Sequence, residues 1–131
     1  MAEQKFFGGT FDMPGPALWT QQITKTAAYT ILPSDNGALF DNSGATAAVT
    51  FTLPAIKRGY CFGFVVYADQ SVTVASAAGD DMVVPNDASA DSVAFSTAGD
   101  KIGGYVMVFA DASGSKWIVV KMCSNAMTIA T

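Results

Sequence analysis

Asp80-Asp81 is the one place in this 131-residue chain where two acidic side chains stand next to each other. Paired carboxylates are the working parts of a glycosidase, and they must face one another across the sugar they cleave. The other aspartates that offer this chemistry are Asp35, Asp41, Asp69, Asp87, Asp91, Asp100 and Asp111, most of them in company with Ser, Asn, Ala or Gly. There an aspartate caps its own backbone, so these residues read as turn formers. A calcium loop built on Asp80 and Asp81 lacks the ligand spacing of an EF-hand. The chain has no histidine, which removes Ser-His-Asp and Cys-His nucleophile systems, HExxH zinc sites and histidine proton shuttles. Cys61 and Cys123 are too few for a four-ligand zinc site. Gly8-Gly9 and Gly103-Gly104 lack the lysine and helix that follow a phosphate-binding loop. The expectation is a protein with no catalytic residues, no metal and no cofactor.

Composition narrows the partners. Charged residues make up 14% of the chain, with seven basic against eleven acidic and a formal net charge of −4. The cations Lys5, Lys25, Lys57, Arg58, Lys101, Lys116 and Lys121 are scattered, whereas phosphate contacts need them clustered, so nucleic acid is not an expected partner. No apolar stretch approaches the roughly 20 residues that cross a bilayer, and Met1 to Phe7 lacks a secretory apolar region; synthesis in the cytoplasm and no membrane partner are expected. Both cysteines sit in apolar, strand-like runs and read as reduced, core-filling thiols. A mean hydropathy of +0.32 with so few charges suits permanent association.

The elements that position these residues are strands. Residues 1–20 mix Phe6, Phe7, Phe11, Leu18 and Trp19 with Gly8, Gly9, Gly15, Pro14 and Pro16, which predicts an extended amino-terminal arm. From there to residue 131 short period-two runs alternate with turns about every ten positions, as in a compact antiparallel β-sandwich or jelly-roll-like barrel. Tyr29 and Ile31 begin the series, and Ser34-Asp35-Asn36-Gly37 and Asp41-Asn42-Ser43-Gly44 turn the chain. Val49, Phe51 and Leu53 point one way and Thr50 and Thr52 the other. Three runs leave neither face polar: Tyr60 to Tyr67, Tyr105 to Phe109, and Trp117 to Val120. Such strands are central in two layers or form half of an interface, and three exceed what one small core requires. Asp111 to Ser115 reads as the hairpin connection between the last two.

From Tyr29 to Asp81 the order Y-T-I-L-P-S-D-N-G, L-F-D-N-S-G-A-T, V-T-F-T-L-P, G-Y-C-F-G-F-V-V, S-V-T-V and G-D-D, closing with I-G-G-Y-V-M-V-F-A-D-A-S-G-S-K-W, resembles a recurrent small β-domain of tailed-phage and prophage virion proteins. That domain occurs in capsid decoration (cement) proteins, head fibres and the ends of tail fibres, and the resemblance spans Gln22 to Val120. It implies that Trp117 packs inside the domain and that the protein is a homo-oligomer, often a trimer. A short chain with an aromatic arm is most similar to the decoration proteins, which bind the major capsid protein on the outside of the head. The expectation is therefore a virion structural protein at the capsid surface, made in the host cytoplasm. Phe6, Phe7, Phe11 and Trp19 are the candidate capsid-binding residues. Tyr60, Phe62, Tyr67 and Tyr105 are the candidates for the subunit interface, by the enrichment of aromatics at such contacts. The alternative is a tail-fibre or head-fibre module binding host-surface carbohydrate, in which Trp19 and the tyrosines stack on sugar.

Overall fold

Period-two alternation governs the fold: Val49, Phe51 and Leu53 are buried while Thr50 is exposed. The computed structural model describes residues 18–131 and, upstream, the backbone of two short strands, β1 (Gln4–Phe6) and β2 (Gly9–Phe11). These pair antiparallel and join neither large sheet. Phe7 and the side chains of Phe6 and Phe11 lie outside the described residues.

The rest is an all-β sandwich. Strands β3 (Gln21–Thr24), β5 (Ala38–Asp41), β7 (Cys61–Val65), β9 (Asp81–Val84), β10 (Asp87–Ala90), β12 (Tyr105–Ala110) and β13 (Lys116–Lys121) form a seven-stranded sheet in the order β10-β9-β13-β12-β7-β5-β3. A five-stranded sheet holds β4 (Tyr29–Thr30), β6 (Val49–Thr52), β8 (Val72–Ala75), β11 (Ser92–Phe95) and β14 (Thr128–Ala130) in the order β14-β11-β8-β6-β4. One 3-10 turn, Pro33–Asp35, interrupts the strands.

Both sheets are mixed, where the sequence reading expects antiparallel pairing. From Gln21 to Ala75 successive strands alternate between the sheets, and each lies parallel to the strand two before it. The chain crosses the sandwich at every connection, and two crossings restore its direction; a hairpin would reverse it. Hairpins appear later, at β9–β10 and at β12–β13, where Asp111 to Ser115 makes the turn that the residues predict. β13 then lies parallel to β9, with Trp117 opposite Met82.

Aromatic rings join the two layers. Phe40 of one sheet and Phe51 of the other have centroids 5.3 Å apart, and Phe51 meets Phe64 at 5.4 Å, in the tilted arrangements that ring quadrupoles favour. Trp117 is fully buried, 6.1 Å from Phe62 and stacked at 6.4 Å on Tyr60. This corrects one expectation: Phe62 is 0% exposed and belongs to the core, because it shares the inward side of β7 with Phe64 and cannot reach another subunit.

Two polar side chains are buried with the core. Asp41 accepts hydrogen bonds from Gln22 Nε2 at 2.7 Å, Thr24 Oγ1 at 2.9 Å and the Ser43 amide at 2.8 Å, tying edge strand β3 to β5. Asn42 Oδ1 accepts the amides of Tyr67 and Ala68 at 2.8 and 3.0 Å, and its Nδ2 donates to the Ala68 carbonyl. Both side chains are thus satisfied, whereas Nε1 of the fully buried Trp117 has no hydrogen-bond partner.

Candidate interaction face

The three doubly apolar runs lie side by side, as β7, β12 and β13. Their inward residues, Phe62, Phe64, Val106, Val108, Trp117 and Val119, make the core. Their outward residues fall in register across the strands. One row aligns Cys61, Phe109, Ile118 and Val83; the next aligns Leu39, Gly63, Met107 and Val120; a third sets Val65 beside Tyr105. Beyond Tyr105 comes Met122, whose amide donates to the Tyr105 carbonyl at 2.8 Å. Val120 and Met122 are 37% and 44% exposed. The rows cover on the order of 300 Å² by strand spacing and rise. That is the lower end of the size of the largest apolar patch on an ordinary monomer, a patch that is often functional. The opposite outer face, on the five-stranded sheet, is unlike it: Thr30, Thr52, Ala75, Ser92 and Ala130 align there in one row, small and hydrophilic by comparison.

Trp19 crosses the apolar face. Its indole N–H donates to the Tyr105 hydroxyl at 2.9 Å. Gly63 makes room for the ring: a Cβ at that position would stand 2.4 Å from Trp19 Cζ2 and 2.9 Å from Leu39 Cδ1, well inside contact distance. Beside this seat is an open groove of about 380 Å³ lined by Gly59, Tyr60, Cys61, Met107, Phe109 and Ala110. Tyr60 and Tyr105 therefore border one surface, and Tyr67 reaches its β3 edge, where its hydroxyl accepts from Nε2 of Gln22, the residue paired with Leu39, at 3.2 Å. Cys61 and Cys123 are free thiols and both are half-buried; Cys123 packs against the core, as the sequence reading expects, and Cys61 does not. Cys61 turns outward because Phe62 takes the inward position, and burial pushes its pKa up. Cys123 Sγ accepts the Tyr105 amide at 3.3 Å.

The aspartates hold loops. Asp35, Asp41, Asp80, Asp87, Asp100 and Asp111 each accept a backbone amide through a carboxylate oxygen. Of the adjacent pair, Asp80 caps Ile56 while Asp81 faces Lys116 at 3.6 Å. Hydrogen bonding holds two carboxyls below the usual aspartate range: Asp111 chiefly through the Ser115 amide, and Asp87 chiefly through the Thr131 hydroxyl and then the Ser89 amide. Among the described residues no three Cys, Asp or Glu side chains converge as metal ligands. No helix there is long and apolar enough to cross a membrane.

The sequence reading names Trp19, Tyr60 and Tyr105 and misses Gly63, Leu39, Met107, Phe109, Ile118 and Val120. The available signal was the outward half of each doubly apolar run. Fold and face together define a class: a β-sandwich presenting one apolar sheet surface, with Trp19 anchored on it. No family model and no curated protein matches the sequence.

Proposed function

We propose that this protein is a structural component of a tailed-phage or prophage virion, a decoration protein that binds the outside of the capsid and acts by binding alone. The observation that carries the reading is the contiguous apolar face of β7, β12 and β13. A surface of that kind is costly to leave in water and suits the apolar centre of a larger contact with a permanent partner. The order of turns and strands from Gln22 to Val120 points to virion domains as the setting, and the same resemblance supports a homo-oligomer, a trimer in the first instance. Contacts that exist only in the assembled shell shift the equilibrium away from disassembly. The aspartates serve turns, which favours binding over catalysis.

Co-sedimentation with capsids of the phage or prophage that encodes the chain tests the reading. The native protein pellets with the particles, and Val120→Lys/Met122→Lys, which sets two charges on the exposed end of the face, lowers apparent affinity by about tenfold or more at unchanged fold. A protein that leaves every particle unbound and instead binds glycans would be a fibre module.

A further inference from the structure

The groove beside Trp19 has an apolar lining and no charged wall, and Trp19 fixes where the chain enters it. We propose that this groove is the seat of the chain's own amino-terminal segment, residues 1–17, docked in cis with phenylalanine side chains against Tyr60, Met107 and Phe109. The inference does not depend on the virion reading.

Three observations favour this occupant. The whole apolar face, on the order of 300 Å², is well under the roughly 800 Å² per partner that a stable protein pair buries, so a second copy seated here alone is undersized. The segment upstream of Trp19 matches the groove in chemistry: it carries Phe6, Phe7, Phe11 and Met13 against only Glu3, Lys5 and Asp12 as charged side chains. Geometry supplies the third. Trp19 is anchored over Gly63, and Cys61, on the groove wall, is two residues along the same strand, roughly 7 Å away. Between positions 11 and 19 an extended chain reaches up to roughly 26 Å, so the phenylalanines need no second molecule to arrive there. Attachment at Trp19 also gives the segment a high effective concentration that a separate copy lacks. The β13 end of the face, with Ile118 and Val120, stays free for another partner.

Cys61 reports on the groove and Cys123 is the internal control. Alkylation of each thiol in the full-length protein is followed by peptide mass spectrometry, with Phe6→Ser/Phe7→Ser/Phe11→Ser compared with the native chain. All three substituted residues lie upstream of the strands of the two large sheets. Docking in cis predicts that the variant's Cys61 reacts roughly tenfold faster or more, that Cys123 is unmoved, and that native protection of Cys61 is the same at micromolar and at hundredfold higher protein concentration. Three results would overturn it: an unchanged Cys61 rate, a parallel rise of both thiols, which would make the segment a support of the whole fold, or protection that fades on dilution, which would bring the segment from a second copy. Because no particle is involved, failure here leaves the capsid test untouched.

Discussion

Asn42 is 0% exposed, and its amide does the work of a short strand: it accepts two consecutive amides and donates to the Ala68 carbonyl, holding the chain after β7 against the turn after β5. Replacing it with Ala strands those backbone groups in a partly dry site, at about 1–3 kcal/mol for each unsatisfied group. Asn42→Ala should therefore lower the unfolding free energy by about 2–3 kcal/mol in urea melts, and Asn42→Asp, which keeps the acceptor, by less. A loss within about 0.5 kcal/mol, the range of neutral surface changes, would remove Asn42 from the list of fold-holding residues. Its sequence context, Asp-Asn-Ser-Gly, announces a turn and nothing more. That the turn is buried depends on Tyr67 and Ala68 folding over it, which is invisible locally.

Edge and centre strands differ in how well they could be read. Among the strands of the two large sheets, the sequence reading misses β3, β10 and β14, the last two at Asp87–Ala90 and Thr128–Ala130, and all three lie at sheet edges. β3, Gln21–Thr24, has little apolar pattern. An edge strand has one partner and need not bury a face, so it is defined by backbone pairing, which composition does not encode. The central strands announce themselves because burial on both sides demands apolar residues. Turns are equally legible: Asp111 accepts the Ser115 amide and the Ser113 hydroxyl at 2.9 Å each and so shapes the β12–β13 hairpin. Its carboxyl is held below the usual range, so its stabilising effect is complete above the ordinary aspartate pKa of about 3.9 and disappears as pH falls through the lower folded value. Asp111→Asn keeps an acceptor but cannot titrate. Thermal melts from neutral pH down to about pH 2 should show a shallower acid loss for the variant, confined to below about pH 4; superimposable slopes would show that the hairpin carboxylate does not couple to folding.

At the scale of the molecule, low charge and one apolar face set how the protein associates. Any contact made through that face is driven by burial, and salt screens charges without weakening burial. Sedimentation velocity between about 50 mM and about 500 mM sodium chloride should find association unchanged or strengthened; a tenfold or greater loss would mean that charged groups make the contact. The period-two runs, the turn residues and the absence of histidine were enough to predict an all-β sandwich, a surplus of apolar strand faces and aspartates in turns, because each depends on residues adjacent along the chain. Only the tertiary structure decided that consecutive strands would cross between sheets and run parallel, that Phe62 would lie inward and Cys61 outward, and that three apolar strands would be neighbours with Trp19 seated over Gly63. Those outcomes depend on strand order and register, which arise from contacts between residues far apart in sequence, such as Gly63 opposite Met107 and Trp117 opposite Met82.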